Sequence, residues 1–256
     1  MTRPSISFFS RQVSGQRITY RLHWWLASVP MLALAVALTL IVRRSDLLPG
    51  EAAVTRWLVD KTGRPGDVLG DFLDYISAET VAPFIFGAAL LIVWRLWGRY
   101  PTWLLGLAGL LTAATKITDL ADRPRPTPGL EWNFAYTGDG GFPSQHVIYA
   151  VLVFGLIAYF SLKYVRRPLW RWTMVGMFAG LAALMGPGRV IDGEHWPADV
   201  IGGYLISLPL LIALIWLHPR VLPVLRGRAP WLYRLAGAER EAAHAPPRPG
   251  RSPPAR

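Results

Sequence analysis

The chain has no cysteine, which excludes a disulfide framework and any Cys-ligated zinc or iron–sulfur site. It is also short of charge. Asp, Glu, Lys and Arg make up 17% of its 256 residues, against about 25% in ordinary soluble domains. Acids are the scarcer sign, 16 against 27 Lys and Arg, leaving a formal net charge of +11. A basic surplus is one footprint of nucleic-acid binding, but a hydrophobic content of 52% and long apolar runs argue against it. No internal repeat of about 20–50 residues is present, which argues against solenoid and propeller architectures.

Six hydrophobic segments are there instead: Trp24 to Val42, Val81 to Trp97, Pro101 to Thr115, Val147 to Leu162, Trp172 to Met185 and Val200 to Leu217. A spanning helix needs about 20 mostly apolar residues. The third and fifth segments, at 15 and 14 residues, are too short on their own. They reach spanning length only if their helices run on into the polar residues near Lys116 and Arg189. Polar groups held inside a membrane bundle are costly and therefore point to function. The first segment is too long for a signal-peptide h-region and lacks a small-residue cleavage site before Arg43, so it reads as a retained helix.

Charge is unevenly divided between the connections. The N-terminus, the 95–100 and 163–171 loops and the tail from His218 hold 18 of the 27 bases, with Glu239 and Glu241 as their only acids. The alternate connections hold nine bases and 14 acids. By the positive-inside rule the first set is cytoplasmic, with both termini inside; Arg43 and Arg44 run against the pattern. Nine of the 12 Trp lie at or near segment ends, among them Trp94, Trp103, Trp172 and Trp196. Amphipathic rings collect there at the headgroup level, the alternative being core aromatics.

The expected fold is therefore all-α. It is an integral membrane bundle of six transmembrane helices over residues 23–218, in the bacterial inner membrane. A cytoplasmic segment, 1–22, precedes it, and a cytoplasmic, largely disordered basic tail, 219–256, follows. In the first outer loop, 43–80, apolar residues recur at helical spacing over 52–60 and 68–76, with Gly63, Pro65 and Gly66 between. Two short amphipathic helices are expected, lying on the outer interface or forming a soluble lid.

Three clusters at the outer helix ends carry chemistry. Lys116 and Arg123 are two helical turns apart and share a face if the helix persists. Two cations so held repel unless an anion sits between them; the plainer alternative is a snorkelling lysine beside a loop arginine. In Pro143-Ser144-Gln145-His146 the proline suits a first helical turn, so the N–H groups of Ser144, Gln145 and His146 form a helix-start anion site. Ser144 adds a hydroxyl and His146 a group that exchanges protons near neutral pH, although Pro-Ser also serves as a simple cap. In the third cluster His195 and Asp199 are one turn apart. A carboxylate on one ring nitrogen fixes the tautomer and leaves the other free to attack; a structural hydrogen bond is the alternative. Arg189 brings a fork that matches phosphate. Together the clusters supply what phosphoryl transfer from an anionic ester needs: charge clamps, an in-line nucleophile and an acid for the leaving group.

The spacing of these residues resembles the type 2 phosphatidic acid phosphatases, membrane relatives of the vanadium haloperoxidases. That family's pattern is KxxxxxxRP, then PSGH, then SRxxxxxHxxxD. Here it reads Lys116 to Arg123-Pro124, Pro143-Ser144-Gln145-His146, and Gly188-Arg189 to His195 to Asp199, with every spacing kept. The resemblance implies that His195 is the nucleophile of a phosphohistidine intermediate and Asp199 its orienting partner. It implies that His146 protonates the leaving lipid oxygen, that Lys116, Arg123, Ser144 and Arg189 hold the phosphate, and that no metal or other cofactor is used. Gln145, whose backbone N–H still faces the anion, stands where the family has Gly and narrows the pocket or adds an amide donor. Gly188 stands where the family has Ser and removes a hydroxyl.

The expected activity is hydrolysis of a lipid phosphate or diphosphate monoester at the extracytoplasmic face. The expected partners are that lipid and the surrounding membrane lipids, with no nucleic acid. Two rival readings stand beside it: a phosphotransferase using the same site, and a non-enzymatic transporter or haem-binding bundle using His146 and His195. Lipid identity and oligomeric state are not encoded in these motifs.

Overall fold

The computed structural model describes residues 7–13, 16–21, 24–45, 47–78, 80–117, 120, 121, 123–126 and 141–237. All six apolar segments are helical. Helix α1 is Trp24–Val42, α2 Glu51–Ser77, α3 Ala82–Trp97, α4 Arg99–Ile117, α5 Gln145–Tyr164, α6 Pro168–Ile191, α7 Pro197–Arg228 and α8 Pro230–Leu235. Among the described residues, α5, α6 and α7 are each long and apolar enough to cross a membrane. The short third and fifth segments do continue into polar sequence, so that Lys116 falls in the last turn of α4 and Arg189 in the last turn of α6.

Helix α5 is the hub. Its apolar residues face every direction, and Val147, Ile148, Val151, Leu152, Leu156 and Phe160 are buried against α4, α6 and α7. A helix hydrophobic all round belongs inside a bundle. Helix α1 contrasts with it. It presents Ser28, Ala35 and Val42, spaced seven apart, as a narrow buried stripe, packs on α7, and leaves Val29, Leu34, Val36 and Leu40 exposed. Apolar exposure on that scale suits lipid rather than water.

The α5–α7 crossing depends on Gly203. A Cβ there would lie 2.9 Å from the Val147 Cβ and 3.0 Å from the Ser144 carbonyl oxygen. The absent side chain lets the start of α5 approach α7, and the Ser144 N–H donates to the Asp199 carbonyl at 3.0 Å.

Three features differ from expectation. An antiparallel hairpin, β1 (Ser7–Val13) and β2 (Gln16–Arg21), precedes the bundle; Ile18, Thr19 and Tyr20 are β-prone residue types, a signal the apolar-run reading passes over. The basic tail does not begin at 219: α7 runs through Pro219 and Pro223 to Arg228, and α8 follows. A proline's fixed φ matches a helix, so prolines one turn apart bend a helix that packing holds. That packing is at His218, which is fully buried and stacked on Tyr100, whose hydroxyl donates to the His218 carbonyl at 2.6 Å. The rest of the tail, 238–256, lies outside the described residues. Finally, Trp196 is a core aromatic, fully buried, with its indole N–H on the Pro124 carbonyl at 2.9 Å.

Gly203→Ala tests the crossing. In an unconstrained helix the change adds about 0.8–1 kcal/mol of stability. Here overpacking against Val147 reverses the sign, to a loss of about 1–3 kcal/mol. Thermal unfolding in detergent reads the difference, and a raised midpoint would remove the crossing as a constraint.

Candidate active site

The turn that carries His195 is built by the end of α6. Gly193 takes φ 70°, a left-handed conformation that favours glycine, and its N–H bonds to the Val190 carbonyl at 3.2 Å. The chain then folds back so that the N–H groups of Glu194 and His195 both donate to the Arg189 carbonyl, at 3.1 and 3.2 Å. His195 ends up 1% exposed, its ring centroid 5.7 Å from that of His146 at the start of α5, in an edge-on arrangement. The two histidines and Ser144, the N-cap residue of α5, thus meet at one end of the bundle.

Asp199 lies 3.7 Å from His195 Nδ1 through its Oδ2, an ion-pair distance too long for a hydrogen bond. Its oxygens have shorter contacts: Oδ2 accepts from the Trp196 N–H at 2.9 Å and Oδ1 from Arg123 Nη1 at 2.7 Å. Catalytic hydrogen bonds are commonly long before a substrate binds and tighten afterwards. Among the described residues neither ring nitrogen of His195 has a hydrogen-bond partner, and neither does the buried Ser144 hydroxyl. Burial pushes the imidazole below its ordinary value; Asp199 pulls it back up, while Arg125 and Arg189 push it further down. The neutral form is therefore favoured.

Arg123 is placed otherwise than expected for a phosphate clamp. It is 1% exposed, and both Nη nitrogens are committed to carboxylates, Nη1 to Asp199 and Nη2 to Glu51. A guanidinium withdrawn from water must be neutralised. Burial works against its charge, but Glu51 and Asp199 outweigh burial and lift it above its ordinary value. Glu51 also accepts the N–H groups of Ala198 at 3.0 Å and Leu48 at 2.7 Å. Arg189, equally buried, donates to Asp74 of α2 at 2.6 Å and lies 3.5 Å from Asp192. The Asp192 carboxyl is pushed up to about 6, chiefly by burial. The side chain of Lys116 lies outside the described residues. Among the described residues no three His, Cys, Asp or Glu side chains gather as a metal-ligand set.

The two motif departures have structural explanations. Gln145 faces α4: its Nε2 donates to the Thr115 carbonyl at 3.1 Å, and its Oε1 accepts the Thr115 hydroxyl at 3.2 Å. Its amide ties the start of α5 to the turn that carries Lys116 and does not add a donor to the pocket. At Gly188 a Cβ would lie 2.6 Å from Leu73 Cδ1, so the glycine lets α6 dock on α2.

The motifs did not disclose Glu51, Asp74, Glu194 or Arg125. Glu51 follows Pro49-Gly50 at a helix start and reads as an ordinary first-turn acid. Asp74 is one of several acids in α2. Arg125, two residues beyond Arg123, reads as a loop charge.

Residues 97–222 match the sequence profile of the PAP2 superfamily. A 70-residue stretch, 27% of the chain, is 40% identical to phosphatidylglycerophosphatase B of Bacillus subtilis (strain 168) and spans 34% of that relative's length. The fold resembles the crystal structure of a transmembrane PAP2 type phosphatidylglycerolphosphate phosphatase from Bacillus subtilis. The TM-score is 0.59 at 19% identity, covering 76% of this chain and 96% of that one. With its apolar helices, that likeness makes this an integral membrane protein.

The electrostatics of His195 give a titration with a defined sign. NMR of the labelled imidazole is expected to show a midpoint below 6.5, so the folded protein loses stability as pH falls past 6.5, where the unfolded chain takes up the extra proton. Removing the Asp199 charge by Asp199→Asn lowers the midpoint further. A midpoint above 6.5 would overturn the assignment of a neutral ring.

Proposed function

We propose that the chain, whose residues 97–222 match the PAP2 superfamily profile, hydrolyses a lipid phosphate or diphosphate monoester without a metal, through a phosphohistidine. The observation that carries the reading is His195: buried, favoured as the neutral ring, both nitrogens unbonded among the described residues, and edge-on to His146.

The roles are those the family resemblance implies, and the placing of Asp199 and His146 beside His195 supports them. Asp199 approaches Nδ1, so Nε2 is the attacking atom. Its lone pair forms the N–P bond as the P–O bond to the lipid breaks, and the electron pair leaves on the lipid oxygen. His146 donates the proton that makes the leaving group a lipid alcohol. Water then attacks phosphorus with His146 as the base, the P–N bond breaks, and inorganic phosphate departs with His195 restored. Arg189, Ser144, the α5 N–H groups and Lys116 stabilise the oxygens where charge builds. Arg123 acts through Asp199 and fixes its carboxylate.

The positive-inside pattern supports a topology with both termini in the cytoplasm and the site on the outer side of a bacterial inner membrane. Val54, Trp57, Val68, Phe72 and Tyr75, exposed on α2, suit a helix lying on the membrane surface, where a lipid headgroup enters. The name of the Bacillus relative makes phosphatidylglycerophosphate the first substrate to try.

Purified protein is expected to release phosphate from a panel of lipid phosphates with EDTA present, and orthovanadate to inhibit it. His195→Ala should lower turnover by about 10³-fold or more. Unchanged turnover in that variant would sink the mechanism.

A further inference from the structure

Arg125 belongs to none of the three motifs, yet it reaches the site. Its Nη1 donates to Glu194 Oε2 at 3.1 Å, and the same oxygen lies 3.9 Å from Arg189 Nη2. One carboxylate oxygen therefore stands between two guanidiniums from different parts of the chain. The carboxylate is 40% exposed, Arg125 24% and Arg189 1%. The Nε atoms of both arginines are buried, with no hydrogen-bond partner among the described residues.

A guanidinium presents five donors in a rigid fork. One oxygen of Glu194 uses only a corner of each fork and leaves two buried N–H groups unmatched, which is costly. A tetrahedral phosphoryl group, with three equatorial oxygens and a greater charge, matches the Arg125 fork and the Nη2 and Nε of Arg189, whose Nη1 donates to Asp74. Glu194 is free to yield its place, because its backbone N–H, not its side chain, closes the turn on the Arg189 carbonyl. The Arg189 carbonyl accepts the His195 N–H at 3.2 Å, and both guanidinium charges act on the His195 imidazole.

Building on the phosphatase reading, we propose that Arg125 pairs with Arg189 to bind the phosphoryl dianion, with Glu194 as the displaceable carboxylate that holds their shared position. The same chemistry is offered by a lipid phosphomonoester and by free phosphate. Glu194 then lowers affinity for both and speeds release of the product.

The test uses the full chain in detergent, with orthovanadate and inorganic phosphate binding measured beside the KM for a lipid phosphate. Arg125→Ala is expected to weaken all three by about 10-fold or more, the scale of a lost charge-assisted hydrogen bond. Arg125→Lys should recover part of the loss. Glu194→Gln should tighten vanadate binding several-fold, a gain that a merely structural glutamate would not give. Wild-type vanadate affinity in Arg125→Ala, Arg125→Lys and Glu194→Gln, with binding lost in Arg189→Ala, overturns the proposal and leaves the phosphatase reading standing. A loss confined to the lipid arm also overturns it, assigning Arg125 to the headgroup. Wild-type protein that neither binds vanadate nor releases phosphate removes both.

Discussion

The site hangs on one buried ion cluster, Glu51–Arg123–Asp199. Three charges at 5%, 1% and 0% exposure cannot be left unpaired, since breaking such a pair costs about 3–5 kcal/mol. The cluster therefore dictates where three separate pieces of chain sit. Glu51 fixes the start of α2 and, through the Ala198 N–H, the start of α7. Arg123 fixes the segment after α4. Asp199 is held from both sides, by Arg123 and by the Trp196 N–H, with its Oδ2 turned toward His195. Whatever nucleophilicity His195 has depends on that carboxylate staying in place.

The cluster also gives the acids of α2 a purpose. The connections on the side of the site carry nine bases and 14 acids, an odd setting for the anion-binding centre proposed above. Glu51, Asp74 and Glu194 are each assigned to a particular arginine, so the local charge is balanced pair by pair. A balanced arginine exerts little long-range pull, and the positive potential an anion meets comes from donors that no carboxylate engages. Arg43, one of the two bases on the wrong side for the topology rule, has a local task as well. Its Nε donates to the Leu120 carbonyl at 2.6 Å and ties the end of α1 to the segment that leads into Arg123.

What the sequence disclosed and what it withheld divide along a physical line. The six apolar segments and the continuation of α4 and α6 into polar residues follow from periodicity and local spacing, because each rests on contacts within a turn or two of helix; the meeting of His146, Ser144 and His195 is a contact between elements that only the spacing of the three motifs announced. Arg123 and Arg189 reach Glu51 and Asp74 of α2, more than 70 residues away in the chain, and no local pattern announces a pairing over that distance. Trp196 illustrates the same limit. Beside a helix start it reads as an interfacial ring, and only the return of the chain at Pro124 makes it core. From the motif alone, Gln145 reads as a narrowed pocket or an added amide donor and Gly188 as a lost hydroxyl. Tertiary contacts with Thr115 and Leu73 make them packing adaptations.

Helix geometry completes the electrostatics. Helices α5 and α7 both begin at the site, and the Ser144 N–H to Asp199 carbonyl bond at 3.0 Å locks their starts together. Each helix start carries a partial positive charge of about half a unit from its unmatched N–H groups. Two such ends side by side disfavour imidazolium and favour a phosphoryl oxygen, the same preference that burial imposes on His195. Helix α6 ends at this place with the opposite sign, and there Arg189 sits in its last turn, where a cation offsets the carbonyl dipoles. The residue that most needs to be cationic is thus held at the helix end that most favours a cation. The groups that must receive negative charge sit at the two ends that favour an anion. On the proposed reading, a bundle with so few charges reaches a phosphate-binding potential by bringing helix ends of chosen sign together rather than by adding lysines.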